Sequence, residues 1–189
     1  MQSKQTTLMN LWHELPIGPN GQEDLSVVYA IVEIPKGSRN KYEYDKEAGV
    51  IRLDRVLYSS IVYPGDYGFL PETYYEDGDP LDILIMLNQP TFPGCVIEAR
   101  PVGLFSMLDK GQPDDKVLAV PHRDPTYDDI QGLDDVPTHY LREVEHFFKV
   151  YKDLEGVRVE PLGWNGAEAA LDAIRAGLTG YAENYPERR

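Results

Sequence analysis

Three carboxylates fall within the short segment Asp77-Gly78-Asp79-Pro80-Leu81-Asp82, directly ahead of the apolar run Ile83-Leu84-Ile85-Met86-Leu87. Pro80 pushes the backbone of Asp79 towards extended geometry, so Asp77 and Asp79 share a face and Asp82 opens a buried-looking strand. Like charges packed this tightly repel unless a cation sits among them, and hard oxygen ligands suit Mg²⁺, Mn²⁺ or Ca²⁺. A solvated acidic turn before a core strand is the plainer reading. This segment alone leaves the two open.

A second acidic pair, Asp109 and Asp114, brackets a turn-rich connection, and Lys116 stands at the mouth of the strand 117–120. It reads as a solubilising hairpin tip or as further oxygen ligands at a neighbouring strand end. Glu33 shares a face with Tyr29 and Ile31 in the apolar strand 27–35. A carboxylate there either has a partner or a task, or turns out to solvent. Lys41, Arg55, Lys116 and Lys152 are scattered between and after the acids, and Tyr63, Tyr67 and Tyr151 offer hydroxyl donors. Hard-metal ligands combined with cationic side chains are what phosphoryl transfer to water requires. Metals neutralise phosphate oxygens and acidify a bound water, and lysine and arginine take the charge left over.

The elements that must position these residues are mostly strands. With 189 residues and 42% hydrophobic content, the chain is expected to form a single domain over 1–189 with a full core. Residues 1–26 read as a polar arm packed by Leu11, Trp12 and Leu15, followed by the strand 27–35. Segments 41–44 and 50–57 form a hairpin. The block 63–71 is too rich in proline and glycine for regular structure, whereas 81–87 and 96–107 are strands, the second bent at Pro101 and Gly103. A helix fits 136–154, with Asp135 as N-cap, Pro137 in its first turn, and Tyr151 and Lys152 in its last. A strand over 157–161 and a second helix follow, the helix opened by an Asn165–Glu168 capping box. The stretch 179–189 reads as a mobile polar tail. Many strands with late helices indicate an α+β fold around a small barrel. His139 and His146 lie two turns apart, about 10.5 Å along the axis, and make no zinc site.

Composition narrows the function. Thirty-two acidic against 18 basic residues give a net charge of −14, a field that repels nucleic acid and anionic membranes. A single cysteine, Cys95, excludes an intrachain disulfide and reads as a small core residue. The N-terminus lacks the apolar core of a signal peptide and no stretch is long enough to span a bilayer, so a cytoplasmic protein is expected.

The chain resembles the soluble family I inorganic pyrophosphatases, of bacterial type, along nearly its whole length. The family pattern Asp-x-Asp-Pro-x-Asp-x is met by Asp77 through Ile83. Around it stand Val32-Glu33-Ile34-Pro35, Lys41-Tyr42-Glu43, Asp54-Arg55, Tyr63-Pro64 with Tyr67-Gly68, Asp109 with Asp114 and Lys116, Val120-Pro121-His122, and His146-Phe147-Phe148 with Tyr151-Lys152. The resemblance implies a five-stranded OB-like β-barrel with flanking α-helices, and Mg²⁺-dependent hydrolysis of pyrophosphate, with Mn²⁺ or Zn²⁺ as substitutes. It implies that Asp77, Asp82 and Asp114 hold the tighter Mg²⁺, and that Asp82 also faces a second. Asp79 would orient and deprotonate the attacking water. Asp109 with Asp114, and Glu33 with Glu43 through waters, would serve the metals that arrive with substrate. Lys41 and Tyr67 would bind the phosphoryl group under attack, and Arg55, Tyr151 and Lys152 the leaving phosphate. Lys116 and Tyr63 would support the cleft. Bacterial members suggest a homo-oligomer, a hexamer. Asp66 occupies a variable position and has no role by resemblance.

Rival readings fit less well. An EF-hand loop wants glycine at its sixth position and glutamate at its twelfth, where this segment has Asp82 and Asn88. A nucleic-acid-binding OB module needs a positive groove, and Lys41, Arg55 and Lys152 are too few against the acidic balance. An acidic metal-binding barrel without hydrolase activity remains the alternative.

Overall fold

A computed structural model of the chain describes residues 9–75 and 78–188. Asp77, expected among the metal ligands, therefore lies outside the described residues. The strands are β1 (Val28–Ile34), the hairpin β2 (Asn40–Asp45) and β3 (Val50–Val56), β4 (Asp66–Phe69), β5 (Asp82–Ile85), β6 (Val96–Asp109), β7 (Gln112–Pro113), β8 (Lys116–Pro121) and β9 (Val159–Gly166). Helix α1 (Thr138–Val150) precedes β9, and α2 (Ala167–Asn184) follows it. The fold is a mixed, sheet-dominated α+β architecture.

Ladder pairings run from β1 to β4, β5, β8 and β6, all antiparallel except β5–β8; β6 also pairs with β1, so the path returns to its starting strand. One long strand, β6, serves four neighbours, β1, β7, β8 and β9, because it bends. Val96–Ala99 of β6 bond β1, and residues from Gly103 onward bond β9, with a register shift between Pro101 and Gly103. Proline lacks the N–H a continuous ladder needs, so the break falls there. The interior is filled by the apolar residues of β1, β5 and β8, among them Val32, Ile83, Ile85, Val117 and Ala119, and closed by Ala170 and Ile174 of α2.

Local patterning misjudged several segments. The block 63–71 contains the strand β4, fully buried along its length. Its composition is a consequence of close packing: a Cβ on Gly68 would stand 1.8 Å from the Ile31 carbonyl oxygen, so only glycine lets β1 and β4 approach. Asp135 does not cap α1. It ends a short 3₁₀ turn, and its carboxylate accepts the backbone N–H groups of Gln131 and Gly132, each at 3.0 Å. Tyr151 is the C-cap of α1 and Lys152 lies just beyond it. The strand expected over 157–161 runs on to Gly166, which takes the N-cap position of α2; Asn165 stays in the ladder opposite Leu104 and forms no capping box. Residues after Leu178, expected as a tail, continue α2 to Asn184, with Tyr181 buried against Trp12 and His13. Tertiary contact with the arm sustains a turn that its polar sequence does not advertise. Cys95 is half-buried beside the core.

Candidate active site

Neighbouring strands deliver functional side chains to one cleft of about 320 Å³. Glu33 comes from β1, Tyr67 from β4, Asp82 from the first residue of β5 and Lys116 from the first residue of β8. Lys41 and Glu43 reach in from the β2 hairpin strand, Asp79 from the loop before β5, and Asp114 from the turn before β8. Tyr151 and Lys152, at the end of α1, complete the wall, with Tyr63 buried beside Tyr67. Aromatic packing fixes that end of α1. Phe147 meets Tyr63 at 4.7 Å between ring centroids and stacks on Tyr151 at 5.5 Å.

The cleft is a lattice of ion pairs. The Lys116 ammonium bonds the carboxylates of Asp82 and Asp114, Lys41 pairs with Glu43, Lys46 with Asp79, and Lys152 with Asp109 at 2.5 Å. Burial drives the Lys116 pKa down, but Asp82 and Asp114 outweigh it and hold it above the ordinary lysine value. Burial raises the Asp114 carboxyl, opposed by Lys116 and reinforced by Asp82. Desolvation also pushes Glu33 from 4.5 up to about 8, against a 2.6 Å hydrogen bond that its carboxylate accepts from the Tyr44 N–H. The phenols of Tyr63, Tyr67 and Tyr151 are raised above their usual value, chiefly by burial. They are therefore neutral donors at pH 7.

Of the residues singled out from sequence, Glu33, Lys41, Glu43, Tyr63, Tyr67, Asp79, Asp82, Asp114, Lys116, Tyr151 and Lys152 line the cleft. Asp109 joins them through Lys152. Arg55 is not part of the lining. Its guanidinium is held by Glu155, with Nε to Oε1 at 3.1 Å, and by Asp54, which itself lies 3.9 Å from Lys41. Lys46 was missed, since a lysine at a hairpin tip carries no sequence mark distinguishing it from a solvated one. Asp66 is structural. It is fully buried and accepts from the Lys36 N–H at 2.7 Å, the Thr91 N–H at 3.0 Å and the Thr91 hydroxyl at 2.5 Å.

The donor chemistry suits hard divalent cations. The acids of the cleft offer hard oxygen donors, and Lys116 engages one oxygen each of Asp82 and Asp114. The buried Oδ1 of Asp109 has no hydrogen-bond partner among the described residues. A buried acceptor left this way calls for a cation or water. Among the described residues no three acids form a ready-made cage.

An α+β scaffold whose strand ends bring acids, ammonium groups and phenols to one cleft has the chemistry of a protein that binds a phosphate-bearing anion with hard divalent cations. The sequence model of the inorganic pyrophosphatase family matches residues 30–182. The inorganic pyrophosphatase of Haloferax volcanii is 53% identical over 179 residues, covering 94% of this chain and 99% of the relative. That of Geobacillus stearothermophilus is 50% identical over 157 residues, covering 83% and 95%. The crystal structure of the Thermus thermophilus inorganic pyrophosphatase superposes with a TM-score of 0.86 at 45% identity, over 92% of this chain and 99% of that one. The chain belongs to the soluble family I inorganic pyrophosphatases.

Proposed function

We propose that this chain hydrolyses inorganic pyrophosphate to two orthophosphates by in-line attack of water, with Mg²⁺ as the working metal. The observation carrying this is the convergence of Asp79, Asp82, Asp114 and Glu33 with Lys41, Lys116 and Lys152 in one cleft. Pyrophosphate is small and highly charged, so charge alone must hold it.

Asp82, Asp114 and Asp109, together with Asp77, would hold the metal, with Glu33 and Glu43 supporting through water. Bound there, Mg²⁺ supplies charge neutralisation of the phosphate oxygens and acidification of the nucleophilic water. Asp79 orients that water and takes its proton. Lys41 and the neutral Tyr67 phenol hold the phosphoryl group under attack. Lys152 and Tyr151 hold the leaving phosphate, joined by Arg55 once its guanidinium exchanges Asp54 for the anion. Lys116 pairs with Asp82 and Asp114 and holds their side chains at the cleft.

The returning strand path β1–β4–β5–β8–β6 supports reading the scaffold as a five-stranded OB-like barrel with one domain around it. We also infer a homo-oligomer, a hexamer, in the cytoplasm. Among the described residues no helix is long and apolar enough to cross a membrane.

The test is orthophosphate release from pyrophosphate with Mg²⁺, Mn²⁺ or Zn²⁺, with excess chelator, and with ATP or tripolyphosphate instead. Fast Mg²⁺-dependent release confined to pyrophosphate is expected, with Asp79→Asn lowering kcat about 10²- to 10⁴-fold. No release by folded protein with any of the metals would leave an acidic metal-binding barrel without hydrolase activity.

A further inference from the structure

Lys46 sits at the turn of the β2–β3 hairpin, and its ammonium group faces two partners. One is the carboxylate of Asp79, with which it forms an ion pair. The other is the face of the Trp12 indole, 5.1 Å away at the ring centroid. The Lys46 carbonyl also accepts from Asn10 Nδ2 at 2.9 Å. The N-terminal arm therefore holds both the backbone and the charged head of this lysine.

The same arm grips the start of the loop that carries Asp79. Trp12 Nε1 donates to the Thr73 carbonyl at 2.8 Å, and the Trp12 carbonyl accepts from the Glu72 N–H at 2.9 Å. Glu72 has a φ of 52°, a conformation that a non-glycine residue keeps only when its surroundings over-determine it. Its carboxylate accepts the Ile17 N–H at 3.2 Å, so the strained residue is tied to the arm at both ends. Beyond it the loop closes on itself, with the Tyr75 N–H donating to the Asp79 carbonyl at 2.8 Å.

Global stability does not need the ion pair. The side chains of Lys46 and Asp79 are 31% and 62% exposed, and pairs this exposed contribute little. What the arrangement supplies is direction. An indole face attracts an ammonium group from one side, so Lys46 cannot follow Asp79 away from the cleft, and Asp79 is drawn to a lysine whose place is set. We propose that Trp12 and Lys46 form a positioning device for Asp79, the arm locating the lysine and the lysine locating the carboxylate that receives the proton of the attacking water. This rests on the function proposed above. Lys46 is a positioning residue; it does not touch the substrate.

The test compares pyrophosphate hydrolysis by K46M, K46R, W12F and W12L with the wild-type chain at saturating Mg²⁺. Amide hydrogen exchange at Tyr75 and Leu81 in chelator is a second readout. K46M is expected to lower kcat about 10- to 100-fold, as misplacing a reacting group does, with KM within about twofold. K46R keeps the charge and restores kcat to within about threefold. W12F keeps an aromatic face and stays near wild type. W12L falls with K46M, and the double variant is no worse than K46M alone, because one path carries both effects. Exchange at the two amides quickens in K46M and not in K46R.

Unchanged kcat in K46M overturns the proposal. So does a raised KM at constant kcat, which would make Lys46 a substrate ligand, and so do W12L and K46M losses that multiply. If W12L does not fold, K46M, K46R and W12F decide. A wild-type chain inactive on pyrophosphate overturns the proposed function instead, and the exchange rates then still decide whether Lys46 holds the loop.

Discussion

Asp82 and Lys116 are register partners at the first residues of the parallel strands β5 and β8, and the lysine closes on the Asp82 carboxylate. Parallel strands start side by side, so the first side chains of both emerge at the same end of the sheet. Asp114, in the turn ahead of β8, takes the same ammonium from the other side. One buried cation thus governs two acids on two segments.

Lys116→Met would leave those two carboxylates facing each other with no cation between them. The cost is expected near 3 kcal/mol, since stripping one partner from a buried pair strands a charge. Urea unfolding in chelator measures it. Added Mg²⁺ should recover part of the loss, because a cation binding only the native state stabilises it by mass action.

Asp66 ties two loops together without entering the cleft. Replacing it by alanine orphans the Lys36 and Thr91 N–H groups, and about 3 kcal/mol is expected from lost hydrogen bonds to a charged acceptor. The thermal midpoint should fall, while kcat and KM, measured well below it, stay near wild type.

Gly68→Ala would force a methyl group against the Ile31 carbonyl. The obstacle is backbone in a paired strand and cannot rotate away, so the loss belongs at the upper end for overpacking, about 3 kcal/mol. A lowered denaturant midpoint checks this. Activity of the surviving folded fraction should also drop, because β4 carries Tyr67 into the cleft.

His13 stacks on Trp12 at 4.4 Å, and its Nδ1 lies 2.6 Å from the Tyr181 hydroxyl. Burial first, then Arg188, lowers its pKa below 6.5, with Glu14 and Glu187 opposing. The unfolded chain therefore takes up this proton before the folded chain does. The contribution to stability is whole above pH 6.5 and is lost as pH falls from 6.5 through the folded value. Thermal melts across pH 5 to 8 should show the decline, and His13→Gln should flatten that part of it. Titration of the His13 imidazole by NMR gives the folded pKa directly.

Much of the site was legible because its signals are local. Pro80 after Asp79, Asp82 at the head of an apolar run, and Glu33 in an otherwise apolar strand stand out by residue type against strand periodicity, which a chain carries in consecutive residues. The same reasoning located the β2–β3 hairpin and the bend of β6 at Pro101. It failed at β4, because glycine and proline look like loop until Ile31 is known to lie against Gly68. It failed at Asp135 and Asn165, where equally good capping side chains were taken up by a 3₁₀ turn and a strand ladder. Arg55 was legible as a cation, but its distance from the cleft lining depends on Glu155, far along the chain.

The sequence by itself determined most of the strands, both helices in outline, and the acidic and cationic side chains available to the cleft, since these follow from composition and short-range order. Only the tertiary structure decided which charges meet: Lys116 with Asp82 and Asp114, Lys152 with Asp109, Lys46 with Asp79 and Trp12. Apart from Lys116 with Asp114, two residues away, each of those pairings joins distant segments, and it exists only where strand register, arm docking and helix packing bring the segments together, which no local pattern encodes.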